Sequence, residues 1–446
     1  MSVVKVNDTL KELTASYVKV GDVWKEILFK YLRRNGEWKL LIPNTTLYYA
    51  GQPTYQVNLG TQQSPNYVFY SLFDVEENGY GAEQDLGDHI IYEEHVKAFD
   101  SLDAKIIDLS TSQGHALFID SKRRLLGCGL NESGQLGLGD IDNRPTPTII
   151  NDTLSWRYIH ASNNRSFAIT DDGDLYAAGD NTQTVLGLGT GEGSYVDVFT
   201  KVSGSSWGMV SCQLNATVAL RTNGDLYSWG SSANALLGYD TGGDSVSTPT
   251  QIGGDTWNYF SMRNHVVAIR SDNNKLYAWG NNSNGSFGEG SEVDELQITP
   301  KEIGGENVWK DVFVTLGVTI AIRRNGDMYS TGNGASGATG QNTSSNTYGF
   351  TQIGSHKWKR FAPQSSLPRS LAMAEREDGK FFIWGTNLKG SMGFGNQDDI
   401  LYVPTEFPVP FEIGSDEGKI LKVGYDSAIG PALPGAGWVL TVDSGS

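Results

Sequence analysis

Cysteine is scarce in this chain of 446 residues, where only Cys128 and Cys212 occur. A small fold that depends on disulfide bonds for stability needs many more cysteines. We expect these two thiols to stay unpaired, because the chain has a repeat with a period near 50 residues and they fall at different positions of different units. Long hydrophobic runs are also missing, since no stretch of 18 apolar residues occurs, which argues against a membrane-spanning helix. The first 16 residues lack the apolar segment of a secretory signal. We therefore expect synthesis in a reducing cytoplasm, no general export and no membrane insertion.

Positive charge is in short supply as well. The chain has 34 Lys and Arg against 51 Asp and Glu, a net charge of −17. Residues 1–43 carry a net charge of +3, so the remainder carries about −20. Because cationic contacts to phosphate dominate nucleic-acid affinity, a body this acidic is expected to bind no nucleic acid.

Signatures of catalysis and cofactor binding are absent. No G-x-S-x-G, H-E-x-x-H or C-x-x-C pattern occurs. Residues 332–337, GNGASG, match G-x-G-x-x-G, but the helix that a dinucleotide site requires does not follow them. The positions that match His115 in other repeat units include Arg165, Ala216 and Val318, none of them histidine, so we predict a structural role for His115. We therefore predict no catalytic, cofactor-binding or metal-binding residues and no cofactor.

One segment is dense in groups that could bind a metal. Residues 85–100, DLGDHIIYEEHVKAFD, combine carboxylates with two imidazoles, and such ligands can hold a divalent cation. The segment falls in a unit with extra length, where a solvated acidic loop is the simpler interpretation. A metal site remains the alternative.

A repeat with a period near 50 residues organises most of the chain. Its clearest marker is an aromatic run that ends in glycine, as in LYAWG at residues 276–280, and successive copies are separated by 50 to 53 residues. A tryptophan lies 23 residues before that glycine in four copies, and 27 residues before it in a fifth. The glycines that end the six copies are Gly129, Gly179, Gly230, Gly280, Gly332 and Gly385. A period of this length indicates a repeat fold whose units stack on one another.

Each unit is predicted to contain about four strands. Short β-branched runs such as TVALR lead into Asn-Gly or Asp-Gly turns, which favour tight hairpins, and the aromatic strand returns. The glycine after tryptophan lets neighbouring backbone approach. A seventh copy, TTLYYAG, ends at Gly51, and about 27 extra residues follow within about 61–103. We predict an all-β, seven-bladed propeller over residues 44–446, closed by a blade built from residues 419–446 and 45–60.

The repeated pattern resembles that of the regulator of chromosome condensation family, and residues 114–140, GHALFIDSKRRLLGCGLNESGQLGLGD, are its best single copy. The resemblance covers about residues 45–446 and implies the seven-bladed fold. Founding members of the family bind a small GTPase and nucleosomes, and others are inhibitors, ubiquitin-ligase modules or interaction platforms. Because propellers host unrelated activities, the resemblance implies the fold more strongly than any function.

Residues 1–43 fall outside the repeat and form a predicted N-terminal β-hairpin arm. YVKVGDVWKEI is echoed 14 residues later by YLRRNGEWKLL, and each copy is predicted to be a small hairpin. These pieces resemble short segments of bacteriophage tail and virion proteins. We predict that the arm is a docking segment, although strands packed on the propeller are the alternative. Its candidate interaction residues are Tyr17, Trp24, Tyr31 and Trp38.

These observations lead to one functional hypothesis and two alternatives. The main hypothesis is a non-enzymatic structural or adhesive component of a bacteriophage virion, made in the host cytoplasm. Its arm would bind other virion proteins, and its loops would meet a host surface receptor or glycan. The first alternative is a soluble cellular interaction or inhibitor propeller of the family named above. The second is a glycan-cleaving propeller enzyme.

Overall fold

The computed structural model describes residues 104–406 with gaps at 105, 113, 190–192, 291–295, 363–369 and 387–399, and outside that range only strand backbones. Six hairpin strands lie in the arm, where β1 pairs with β2, β3 with β4 and β5 with β6. They are β1 (Ser2–Val6), β2 (Thr9–Leu13), β3 (Tyr17–Val20), β4 (Val23–Glu26), β5 (Tyr31–Arg34) and β6 (Glu37–Leu40). The two predicted hairpins are confirmed, and β1–β2 is a third that the sequence reasoning missed.

Three strands follow the arm. They are β7 (Thr45–Gly51), β8 (Thr54–Asn58) and β9 (Tyr67–Ser71). The next twelve build blades I, II and III, with β21 shared by blades III and IV. They are β10 (Ile106–Thr111), β11 (His115–Asp120), β12 (Leu125–Gly129), β13 (Arg144–Asn151), β14 (Trp156–Ser162), β15 (Arg165–Thr170), β16 (Leu175–Asp180), β17 (Tyr195–Lys201), β18 (Trp207–Gln213), β19 (Ala216–Arg221), β20 (Asp225–Gly230) and β21 (Val246–Met262).

Blades IV, V and VI and a terminal pair complete the described strands. They are β22 (His265–Arg270), β23 (Leu276–Asn281), β24 (Leu296–Ile303), β25 (Trp309–Thr315), β26 (Val318–Arg323), β27 (Met328–Gly332), β28 (Thr347–Gln352), β29 (Trp358–Phe361), β30 (Leu371–Arg376), β31 (Phe381–Thr386), β32 (Ile400–Glu406), β33 (Lys419–Asp426) and β34 (Ala436–Val442). Two 3-10 turns, Thr182–Thr184 and Ser283–Gly285, lie in the loops after β16 and β23.

Every blade is an antiparallel sheet of four strands in chain order, and a sheet of order β33-β34-β7 adds a seventh unit in the described part of the chain. The aromatic-Gly strand is the third of each blade, and LYAWG, expected as an inner strand, lies between β22 and β24 in β23. β34 pairs with β7 from Ala436–Gly51 to Val442–Thr45, as predicted for the chain ends. Closure of the ring through this sheet stays a prediction. The fourth strand expected from residues 45–60 is not part of it, because β8 pairs with β9.

The core lies within and between the blades. A tryptophan begins the first strand of blades II, III, V and VI, and in blade IV Trp257 lies within β21. Each packs edge-on against the third-strand ring of its own blade, with ring centroids 5.3–5.9 Å apart. A second tryptophan, in the third strand of blades III, IV and VI, donates from Nε1 to a carbonyl of the preceding blade. These bonds join Trp229 to Val185, Trp279 to Leu236 and Trp384 to Ala338, at 2.8–2.9 Å. The first set therefore packs within blades II to VI, and the second links blades III, IV and VI to the preceding blade.

Candidate functional site

A cavity of about 630 Å³ opens at the junction of blades IV and V. Four of its lining residues come from blade IV and four from blade V. They are Asn258, Tyr259, Ile269, Asn274, Trp309, Lys310, Asp311 and Arg324. We call it the junction pocket. It lies on the face that carries the turns between second and third strands, because the first strand begins where the second strand ends (Trp309 pairs with Arg323).

The backbone frame at this junction is the one used between other blades. In each, a turn residue of one blade has positive φ, and its carbonyl accepts the N–H of the next blade's first-strand tryptophan at 2.8–3.0 Å. The accepting residues are Arg123, Gly173, Gly224, Asn274 and Gly326. Asn274 adopts φ +55°, a conformation that asparagine tolerates better than most residues. The junction pocket thus keeps the frame and adds a side chain where three other junctions have glycine.

The added side chain organises the pocket wall. Asn274 Oδ1 accepts a hydrogen bond from Arg324 Nη2 at 2.8 Å and one from Asn258 Nδ2 at 3.3 Å. The bond to Arg324 crosses the blade junction and fixes one edge of the guanidinium. Because an arginine has five N–H donors, the others remain for a ligand.

Lys310 and Arg324 are exposed, and neither forms an ion pair with a carboxylate in the described part of the chain. Lys310 Nζ donates instead to the Trp358 carbonyl at 2.7 Å. Most other cations of the described blades do meet a carboxylate. These pairs are Arg124–Asp120, Arg144–Asp140, Arg165–Asp180, Lys201–Asp174, Arg270–Asp255, Arg270–Asp272, Lys275–Glu302, Lys275–Glu306, Lys301–Glu289, Lys357–Asp327, Lys359–Glu375, Arg360–Glu375, Arg376–Asp378 and Lys380–Glu406.

Asp311 brings a carboxylate to the same pocket, but its oxygens face backbone. Oδ1 accepts the N–H of Val312 at 2.9 Å, and Oδ2 accepts that of Phe361 at 2.7 Å. Burial raises the pKa of Asp311 to about 6, against the opposing effect of these two hydrogen bonds and of the nearby Lys310 and Arg360. Asp311 therefore ties blade V to blade VI through Phe361, and it attracts Lys310 without forming an ion pair with it.

The histidine singled out in the sequence has a structural place. His115 is buried, with Nδ1 2.8 Å from Ser112 Oγ and Nε2 2.8 Å from Ser166 Oγ of the next blade. His265 occupies the same position in blade IV, with Nε2 2.8 Å from Thr319 Oγ1 of blade V. Burial lowers the pKa of each imidazole to about 3. Both histidines link neighbouring blades by hydrogen bonds. The sequence reasoning missed that His265 matches His115.

Other sequence expectations have mixed outcomes. Cys128 and Cys212 are buried and unpaired, and burial raises the pKa of each thiol, which makes them structural. The described residues contain no cluster of three metal-ligating side chains and no helix able to span a membrane. Residues 85–100 lie outside the described residues, so the choice between acidic loop and metal site stays open.

The predicted interaction residues of the arm fall in its hairpins. Tyr17 lies in β3, Trp24 in β4, Tyr31 in β5 and Trp38 in β6. The backbone register pairs Trp24 with Lys19 and Trp38 with Arg33. The structure does not describe their side chains, so their role in binding stays a prediction.

Comparisons with known proteins identify the repeat. The regulator of chromosome condensation (RCC1) repeat matches residues 124–169. The ultraviolet-B receptor UVR8 of Arabidopsis thaliana is 30% identical over 138 residues, which cover 30% of this chain and 31% of the receptor. A Xenopus laevis RCC2 homolog is 29% identical over 136 residues, which cover 30% of this chain and 26% of that protein. The matched part thus spans less than a third of these relatives.

The fold comparison covers most of the chain. Prp20p of Saccharomyces cerevisiae, reported with its binding properties to Gsp1p and histones, superimposes with a TM-score of 0.67 at 18% identity. The match covers 90% of this chain and 92% of Prp20p. Identity this low carries the fold alone. Repeat and fold together show an RCC1-like β-propeller.

The virion hypothesis is wrong, both as a function and as a location. The relatives found are cellular proteins of Arabidopsis, Xenopus and mouse, and the structural match is a yeast protein. The hypothesis extended a resemblance of the short arm segments to the whole chain, whereas the repeat and the fold match cellular proteins. These comparisons do not address the arm motif itself, so the role of the arm stays a prediction.

The junction pocket itself was missed. Its signal was present in the turn SDNNK at residues 271–275, which has Asn274 instead of the turn glycine of DDGD, TNGD and RNGD. Arg324 was a second signal. The first turn position in the other described blades holds Ser121, Asp171, Thr222, Ser271 and Glu377, none of them cationic.

Proposed function

We propose that this RCC1-like propeller is a non-enzymatic protein-binding platform, and that its partner docks on the face that carries the junction pocket. The fold supports a platform, since Prp20p, which shares it, was reported with its binding to Gsp1p and histones. The partner of this chain is a separate matter, because low identity transfers no partner. A net charge of −17 supports a protein partner over nucleic acid.

One observation carries the choice of face. At the junction of blades IV and V the backbone frame is kept, but Asn274 stands where three other junctions have glycine, and Arg324 stands where the other described blades have no cation. Both meet Asn258 and Lys310 in one cavity. Tyr259 and Trp309 also contribute to the lining of this cavity, although the ring of Trp309 is buried in the core. Polar groups that converge in a concave site are typical of a binding surface.

Site-specific photocrosslinking tests this proposal. A benzophenone amino acid would replace Asn258 at the pocket, Ala233 in the loop after β20 on the opposite face, or Thr250 on an outer strand, all of them exposed. In cells of the source organism, we expect one discrete protein adduct from position 258 and none from the other two. Equal adduct patterns from all three positions, or none from position 258, would refute the proposed face.

The arm is a second proposed contact. Its net charge of +3 is opposite to that of the propeller, so it suits an acidic surface, and the attraction would weaken in salt. Tyr17, Trp24, Tyr31 and Trp38 remain the residues proposed to make it. Crosslinkers at Lys19 and Arg33 would identify the surface that the arm touches.

A further inference from the structure

The two cations of the junction pocket lack the anionic partner that most cations of this propeller have. Lys310 and Arg324 contact only neutral oxygens, those of Trp358 and Asn274, among the described residues. Arg157, Arg221 and Arg323 form no ion pair among the described residues either, but Arg157 donates to two backbone carbonyls and the other two stack on aromatic rings. Lys310 and Arg324 line one cavity of about 630 Å³.

At the neighbouring junction the corresponding cation has a carboxylate partner within the chain. Between blades V and VI, Lys359 takes the place of Lys310 and pairs with Glu375 at 2.6 Å. Glu377 takes the place of Arg324 there. The same frame thus holds an internally compensated charge set at one junction and an uncompensated one at the next.

The carboxylate already in the pocket, Asp311, attracts Lys310 through space but forms no ion pair with either pocket cation among the described residues. Both oxygens of Asp311 are engaged by the N–H groups of Val312 and Phe361. Neither oxygen lies in an ion pair with Lys310 or Arg324 in the described chain. An incoming anion would therefore meet free donors of Lys310 and Arg324.

We propose that the junction pocket binds the carboxylate of a Glu or Asp side chain of the partner protein. This inference rests on the proposed function and names the partner chemistry at its site. Asn274 holds one edge of the Arg324 guanidinium, so the remaining N–H groups are pre-oriented for a two-point contact with a carboxylate. Lys310 adds a second charge to the same cavity, and Asn258 adds an amide donor.

The chain offers a clean variant for the test. Asn274→Gly restores the residue that three other junctions use at this backbone position, so the φ of +55° and the carbonyl that accepts the Trp309 N–H are retained. Only the amide that holds Arg324 is removed. Arg324→Gln and Lys310→Gln remove the charges, and Lys357→Gln is the matched control, since Lys357 lies on the same face but pairs with Asp327.

The probes are small, because the partner is unidentified. N-acetyl-L-glutamate N-methylamide, its glutamine counterpart and inorganic phosphate would each be titrated into the full-length chain. Binding would be followed by NMR of arginine Nε–H signals and tryptophan indole signals, with the Arg324 signal identified by its loss in Arg324→Gln. Each variant would first be shown to keep the thermal midpoint of the parent.

We expect the glutamate probe to shift the Arg324 signal and to bind at least tenfold more tightly than the glutamine probe. Arg324→Gln and Lys310→Gln should each weaken binding tenfold or more, Asn274→Gly several-fold, and Lys357→Gln less than twofold. Equal binding of the two amino-acid probes, or unchanged binding in Arg324→Gln, would overturn the proposal. Phosphate binding without glutamate binding would overturn it too, in favour of a phosphoryl site.

The two proposals fail separately. If position 258 crosslinks a partner but the glutamate probe does not bind, the face is right and the carboxylate chemistry is wrong. If the probe binds as expected but no partner crosslinks at position 258, the site is an anion pocket without the proposed docking role.

Discussion

Gly230 and Gly280 follow buried tryptophans and adopt φ values of +101° and +99°. A Cβ at Gly230 would stand 2.4 Å from the Asn215 carbonyl oxygen, and one at Gly280 would stand 2.9 Å from His265 Cα. Both obstacles are backbone, which cannot swing aside. At the residue scale, these glycines are therefore demanded by the close approach of two strands.

Gly230→Val and Gly280→Val should each lower the free energy of unfolding by roughly 1–3 kcal/mol, the usual range for overpacking, with added strain from the positive φ. Urea denaturation of the full chain measures this. Gly254→Val is the matched control, because nothing lies within 4 Å of its Cβ and its φ is not positive. A control variant as unstable as the other two would show that space is not the cause.

The buried histidines give the molecule an acid sensitivity whose direction is fixed. Burial lowers the pKa of His115 and of His265 to about 3 in the folded protein. In the unfolded chain the pKa of a histidine is near 6.5, so the unfolded chain binds protons more readily. The contribution of the two neutral histidines to the free energy of unfolding is complete above pH 6.5 and is lost as the pH falls toward 3. We expect the urea midpoint to fall between pH 7.5 and pH 5, with a shallower fall in the double variant His115→Gln, His265→Gln. An unaltered slope in the double variant would assign the acid sensitivity to other groups.

At the scale of the element, the third strand of a blade is part of a hairpin. In blades III, IV and VI its tryptophan also forms a hydrogen bond to the preceding blade. Trp279 in β23 is buried and donates from Nε1 to the Leu236 carbonyl at 2.9 Å. Trp257, at the start of the blade in β21, is equally buried, yet its Nε1 has no partner among the described residues. The two tryptophans thus differ by one hydrogen bond between blades.

Trp279→Phe should therefore lower the free energy of unfolding by about 1 kcal/mol more than Trp257→Phe does. Both substitutions remove a similar volume, but only Trp279→Phe leaves a buried carbonyl unpaired. Paired chemical denaturation curves measure the difference. Equal losses in the two variants would mean that packing alone, and not the hydrogen bond, sets the cost.

Much of the element structure was readable from the sequence, because it depends on local chemistry. The period, the Asn-Gly and Asp-Gly turns and the WG glycines are encoded within a few residues of where they act, and the repeat appears six times. The junction pocket was not readable, because Asn274 and Arg324 meet across 50 residues of sequence. The fourth strand of the terminal sheet was misassigned because the segment after Gly51 also satisfies a hairpin with β9.

At the scale of the whole molecule, the sheet made of β33, β34 and β7 brings together residues from both ends of the propeller sequence. β34 is its middle strand, and its register with β7 runs over seven residue pairs. Deleting residues 419–446 should strip β7 of its partner and lower the melting temperature of the whole propeller. A truncated chain that melts cooperatively at the parent temperature would show that the ring does not close through these strands.

The shared strand β21, Val246–Met262, leads from the outer edge of blade III to the inner edge of blade IV, and residues 252–255 have no ladder partner between its two pairings. It is hydrogen-bonded to β20 at one end and to β22 at the other. If the propeller were pulled apart by force, the pairing of Thr256 with Asp225, directly before that of Trp257 with Arg270, would hold this connection to both blades. Blades III and IV would then come away as one mechanical unit, and the wall of the junction pocket formed by blade IV would travel with them.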